Sequence, residues 1–180
     1  TRAPRPGNPP PRIAETTGGM LNAIGLANPG LDAFLDEYLP VLKVAGCPLI
    51  VNVAGEDIDD YVALSAAVEE AAEGSVGAVE LNISCPNVSH GLNYGTDPDL
   101  AGELIRKTKA ACDLPVIAKL SPNVTDIAAV ARAAEQAGAD GVSLINTLVG
   151  LAVDIERRRP ILGNVTGGLS GPAVKPVALA

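Results

Sequence analysis

Between positions 48 and 145 the apolar residues fall into two alternating kinds of segment. Short runs of β-branched and aliphatic residues, at 49–54, 78–83, 116–120 and 141–145, read as buried strands. The segments between them show helical spacing. Residues 58–72 carry Ile58, Tyr61, Val62 and Val68 at helical intervals, and a second segment presents Leu100, Leu104, Ile105 and Cys112 on one side. Asp97 suits the N-cap of that second helix, with Pro98 at its first helical position. A third helix is predicted from Thr125 as cap, through Ile127, Val130, Ala131 and Ala134, to a C′ glycine at Gly138. Strand–helix alternation at intervals of about 30 residues predicts βαβ units and a parallel sheet, hence the α/β class.

The chain before position 48 lacks this rhythm. Residues 1–12 (TRAPRPGNPPPR) are dominated by Pro and Gly and predict neither helix nor central strand. Residues 13–30 continue the irregular character, a loop long enough to suggest function. Residues 31–44 predict a helix that Pro40 should end or kink.

Polar groups cluster where the predicted strands finish. Asn52 lies in LIVNVAG, Asn82 near the end of VELNIS, Lys119 near the end of PVIAKL, and Asn146-Thr147 just after VSLI. The C-terminal strand ends of an α/β barrel hold its active site, so this placement predicts a barrel enzyme with its pocket there. Asparagine offers donors and acceptors without charge, which suits a flat, amide-containing heterocycle. Lys119 could stabilise negative charge or form a Schiff base, and Cys85, three residues after Asn82, could serve as nucleophile or general base. No carboxylate pair stands at the strand ends, which argues against glycosidase chemistry. GxGxxG and P-loop patterns are absent, which disfavours a Rossmann or nucleoside-triphosphate site.

Composition narrows the picture further. The 180 residues are 47% hydrophobic but only 2% aromatic, so the core must be aliphatic and rich in Ala. A formal net charge of -8 argues against nucleic acid or an anionic membrane as main partner. No apolar run reaches the roughly 18 residues of a membrane span. Three cysteines without CxxC spacing and a single histidine argue against a zinc site and predict a reduced, cytoplasmic setting. Cys47 and Cys112 read as small apolar fillers, and Arg157, Arg158 and Arg159 as a solvated charge run. The chain opens on Thr1 and closes on Ala180 inside an apolar segment, which suggests a piece of a longer domain.

Read together, the segments PRPGNPPPR, NAIGLAN, VNVAG, NISCPNV, KLSPNVTDI, SLINTL and NVTGGLSGPAVKPVAL resemble the class 1 dihydroorotate dehydrogenases, most closely their NAD-linked branch. The resemblance implies part of an FMN-dependent (β/α)8 TIM barrel, without its first and last strands, that oxidises (S)-dihydroorotate to orotate in pyrimidine biosynthesis. It implies Cys85 as the base taking the C5 proton while hydride passes from C6 to FMN. It implies substrate contacts from Asn22, Ala23, Ile24, Gly25, Leu26, Asn82, Asn146 and Thr147, and FMN contacts from Asn52, Asn82, Lys119, Ile145 and Gly171. Residues 88–96, with His90 and Tyr94, match the family's lid loop, where both read as loop residues. A homodimeric core and an FAD and iron–sulfur subunit linking to NAD are the implied partners. The rival readings are a flavin barrel acting on another pyrimidine such as dihydrouracil, a Schiff-base aldolase using Lys119, and a non-catalytic remnant.

Overall fold

A computed structural model describes residues 1–84 and 94–180. Its centre is a four-stranded parallel sheet of β3 (Leu49–Val53), β4 (Val76–Leu81), β5 (Val116–Lys119) and β6 (Gly141–Ser143), arranged in chain order. The helices α3 (Ile58–Ala72), α4 (Pro98–Ala111) and α5 (Ile127–Gln136) connect successive strands and cover one face of the sheet. Neighbouring strands that follow one another through helices are the repeating unit of an α/β barrel. The α/β class and the parallel sheet expected from the sequence are therefore present.

The packed face explains the order of the core. Val79, Leu81, Val116 and Ala118 are buried and meet Leu64, Val68, Leu104, Ile105, Val130 and Ala134 from the three helices. Alternate positions point the other way, as strand geometry requires. Ile50, Asn52, Glu80, Ile117, Lys119 and Ser143 lie on that second face, none of them buried, and Ile50 is 58% exposed.

The helix starts follow their caps. Asp57 accepts from Asp60 N–H, and Asp97 accepts from the N–H groups of Asp99 and Leu100. The third cap is Asp126, whose carboxylate accepts from Ala129 N–H, rather than the expected Thr125. A carboxylate there also faces the positive end of the helix dipole, which a hydroxyl does less well. Gly138 does stand past α5 with φ +93°, a backbone conformation that favours glycine.

Two other expectations are corrected, and a third, at Pro40, is narrowed. Residues 13–30 are not wholly irregular, because β1 (Ile13–Thr16) and β2 (Gly19–Asn22) form an antiparallel hairpin. Each strand buries a single residue, Ala14 and Leu21, so no apolar alternation announces the pair. Their partners come from late in the chain: β10 (Thr166–Ser170) joins β2, and β7 (Leu148–Leu151) joins β10, in a second, antiparallel sheet. Pro40 does not end the predicted helix. α1 (Leu31–Ala33), a π turn (Phe34–Tyr38) and α2 (Leu39–Lys43) run on continuously. Leu39 N–H reaches back five residues to Phe34 O, and this widened turn accommodates the proline that follows. Cys47 is exposed rather than an apolar filler, whereas Cys112 is buried as expected.

A short hairpin of β8 (Val153–Asp154) and β9 (Arg159–Pro160) carries Arg157 and Arg158 in its turn and Arg159 at the start of β9, all three exposed, in line with a solvated charge run. Among the described residues no helix is long and apolar enough to cross a membrane.

Candidate active site

The C-terminal ends of the parallel strands and the edge of the antiparallel sheet border a half-open cavity of about 450 Å3. All eight residues expected at the substrate line it: Asn22, Ala23, Ile24, Gly25, Leu26, Asn82, Asn146 and Thr147. They arrive from three directions. Asn22 ends β2 and donates through Nδ2 to Gly168 O at 3.3 Å, which ties it to β10. Residues 23–26 are held by the proline-rich start of the chain, where Asn8 Nδ2 donates to Ala23 O at 3.1 Å and Asn8 N–H to Ile24 O at 3.0 Å. Gly25 sits there with φ +73°, and a side chain at that position would strike Asn8. The loop that looked functional because it was irregular is thus one wall of the cavity.

Asn82 and Asn146 form the floor. Asn82 N–H continues the sheet by donating to Val53 O at 2.9 Å, and its carbonyl accepts from the buried Tyr61 hydroxyl at 2.7 Å. Asn146 N–H donates to Leu120 O at 2.9 Å, and its Oδ1 accepts from Thr147 N–H at 2.8 Å. Asn146 Nδ2 then donates to Ser84 Oγ at 2.8 Å and to Asn82 Oδ1 at 3.2 Å. Ser84 Oγ also lies 3.1 Å from Lys119 O. With Asn82 Oδ1 occupied in this way, its Nδ2 has no acceptor among the described residues and is left as a donor beside the cavity.

Several lining residues were not picked out from the sequence. Asn123 closes the corner between β6 and β7, donating to Thr147 O at 2.9 Å and accepting from Val149 N–H at 3.0 Å. Ser84, Ser121, Thr96, Asn8, Asn164 and Thr166 complete the polar lining. The signal for Asn123 was its place in KLSPN, three residues beyond the strand that ends with Leu120 as read from the sequence. Cys85, expected as the base, lies outside the described residues, as does His90; Cys85 follows Ser84 directly in the chain. Of the expected lid loop, residues 94–96 are described. Tyr94 stands in a turn, as expected of a loop residue, but its side chain is buried in the core, its ring edge-on to Tyr61 at 6.0 Å between centroids. Burial raises its phenol above the ordinary value.

The residues expected at FMN divide into separate places. Asn52 and Lys119 share the uncovered face of the parallel sheet, where both approach Glu80. Asn82 belongs to the cavity, and Ile145 immediately precedes Asn146. Gly171 instead follows β10, with φ +116°, packed against the backbone of Gly19. Among the described residues no group of three or more His, Cys, Asp and Glu is placed to hold a metal ion.

The family model described as dihydroorotate dehydrogenase matches residues 1–180. The chain belongs to the dihydroorotate dehydrogenase family. Among its relatives, the dihydroorotate dehydrogenase B (NAD(+)) catalytic subunit of Geobacillus kaustophilus is 58% identical over 180 residues, covering 99% of this chain and 57% of that protein. Proteins of the same name from Geobacter sp. and Listeria monocytogenes are each 56% identical, over 98% and 99% of this chain. The chain thus spans somewhat over half the length of these curated relatives: 57% of the Geobacter protein and 59% of the Listeria one. Membership in the dehydrogenase family does not favour the aldolase reading, and neither does Lys119, which is absent from the cavity lining.

Proposed function

We propose that the full-length protein oxidises (S)-dihydroorotate to orotate with FMN, as the catalytic subunit of an NAD-linked dihydroorotate dehydrogenase in pyrimidine biosynthesis. The observation that carries this reading is the convergence on one cavity, lined also by Ser84, of all eight residues the family resemblance assigns to the substrate. A pyrimidine ring with carbonyl and N–H groups on its edge needs neutral donors and acceptors, and Asn22, Asn82, Asn146 and Thr147 provide them. The donor at Asn82 Nδ2 suits a substrate carbonyl or carboxylate. The interlocked Asn82, Ser84 and Asn146 side chains fix these amides in advance, which lowers the ordering cost of binding.

The residues on the uncovered sheet face fit a flavin ring. Ile50 and Ile117 offer apolar surface, Asn52 an amide, and Lys119 a positive charge. In the complete barrel this face would be the inside. FMN, when bound, supplies the acceptor for hydride leaving C6 of the substrate. Lys119 would hold a cation where negative charge accumulates. Cys85, as thiolate, would take the C5 proton, so that one proton and one hydride leave together and the C5–C6 double bond forms. A thiol of ordinary pKa near ~8.5 needs a polarising neighbourhood for this role.

Ile145 and Gly171 are assigned to FMN by the family resemblance alone. The shared name of the relatives, a catalytic subunit, supports a partner subunit; that this partner carries FAD and an iron–sulfur centre, around a homodimeric core in the cytoplasm, rests on the family resemblance alone. The test uses the complete reading frame, reconstituted with FMN and mixed with dihydroorotate without oxygen. The expected result is loss of the oxidised-flavin absorbance, at least a hundredfold slower in Cys85→Ala, within the range general-base catalysis contributes. Bound flavin that dihydroorotate leaves oxidised would refute the substrate assignment, and bleaching at the normal rate in Cys85→Ala would refute the base.

A further inference from the structure

Glu80 is the only acidic side chain on the uncovered face of β3 to β6 among the described residues, and three strands converge on it. Its Oε1 accepts from Asn52 Nδ2 at 2.6 Å, from β3 on one side. Its Oε2 accepts from Ser143 Oγ at 2.6 Å, from β6 two strands away. Lys119 Nζ, on the intervening β5, stands 4.0 Å from Oε1. The register explains the convergence: Asn52 pairs with Glu80 across β3 and β4, and Lys119 with Ser143 across β5 and β6. Glu80 itself pairs with Ile117, so Lys119 and Ser143 leave the same face two residues farther along, and the Glu80 side chain reaches forward to meet them.

A carboxylate in this setting does two things. It fixes the Asn52 amide with its Nδ2 turned inward, leaving Oδ1 to accept from a ligand. It also partly cancels the Lys119 charge. We propose that Glu80 is a positioning residue of the flavin site: through Lys119 and Asn52 it sets how strongly the protein favours reduced over oxidised flavin. The inference rests on the reading of this face as the FMN site. A neighbouring anion opposes the negative charge of reduced flavin, so Glu80 holds the midpoint potential below the value that Lys119 alone would give.

The test is the midpoint potential of the full-length FMN holoenzyme and its Glu80→Gln variant, with the FMN dissociation constant and melting temperature measured beside it. Glutamine keeps the length and an acceptor for Asn52 but removes the charge. Its expected effect is a shift of the flavin equilibrium toward the reduced form on the order of tenfold, about 30 mV upward for a two-electron couple. Glu80→Asp, which keeps the charge, should shift the equilibrium less than about threefold. A role confined to holding the strands together would lower the melting temperature or weaken FMN binding and leave the midpoint of Glu80→Gln in place, and that outcome overturns the proposal. If Glu80→Gln alone does not fold, the comparison moves to a Lys119→Met background, where no unpaired ammonium remains. There an upward shift of less than about tenfold, carried by Asn52 and by the Glu80 charge itself, supports the proposal and an unchanged midpoint refutes it. A wild-type protein that takes up no FMN would overturn both this inference and the function on which it rests. Normal bleaching by dihydroorotate with an unmoved Glu80→Gln midpoint would overturn the inference alone.

Discussion

Tyr61 shows how a core residue can govern the cavity without touching it. It is a fully buried α3 residue by packing, yet its hydroxyl donates to the main-chain carbonyl of Asn82, which would otherwise be buried beside a polar turn. Tyr61→Phe removes the donor and leaves that carbonyl with one partner fewer. The expected cost is about 1–3 kcal/mol of stability by urea unfolding. Because Asn82 carries a cavity amide on the same residue, KM for dihydroorotate should rise as well in the full-length enzyme. A loss of stability with KM unchanged would mean that the Asn146 and Ser84 contacts hold the amide alone. At this scale the sequence was informative about side-chain chemistry and silent about support. Asn82, Asn146 and Thr147 could be found because polar residues at strand ends stand out against an apolar run. Tyr61 could not, because at helical spacing it reads as one more core position, and its hydroxyl partner lies 21 residues away.

Elements were legible where each carries its own periodicity and illegible where pairing is remote. The βαβ units came through because every strand is a dense apolar run and every helix has an apolar stripe and a cap. The hairpin β1–β2 did not, since its buried residues are single and its sheet is completed by β10, nearly 150 residues later. The start of β5 illustrates a locking contact that periodicity does not reveal. Asp140, just before β6, donates its N–H to Val116 O at 2.8 Å and accepts from Val116 N–H at 2.7 Å through Oδ2. Lys109 of α4 donates to the same oxygen at 2.9 Å, and this bond with the Val116 N–H holds the Asp140 carboxyl below its ordinary value of 3.8. A depressed folded-state value means the folded protein binds the proton more weakly than the unfolded chain. The stabilisation is therefore complete above 3.8 and is lost as pH falls through the lower, folded value. Asp140→Asn should melt lower than wild type at pH 7, with the gap narrowing in acid until the two melting curves converge. A gap constant with pH would show that the neutral hydrogen bond to Val116, and not the charge, carries the effect.

For the molecule as a whole, the decisive asymmetry is between the two faces of the parallel sheet. One face is closed by α3, α4 and α5, while the other leaves Ile50 more than half exposed and carries Asn52, Glu80, Lys119 and Ser143 in the open. Parallel sheets are covered on both faces, so a face left this open calls for further cover. The same segment in relatives belongs to chains of which it makes up 57–59%, so further chain is available there to cover this face. Flavin affinity should depend on that cover, because a ring bound on one side only gains little of the burial that ligand pockets provide. The expectation is that the 180-residue chain, titrated with FMN under fluorescence detection, binds at least a hundredfold more weakly than the full-length protein. It should also enhance the fluorescence of an apolar dye that the full-length holoenzyme does not. Tight, saturable FMN binding by the 180-residue chain would mean that the cavity wall and the Asn52–Glu80–Lys119 cluster already form a sufficient site, and the flavin would then have to lie on the open sheet face without a covering strand.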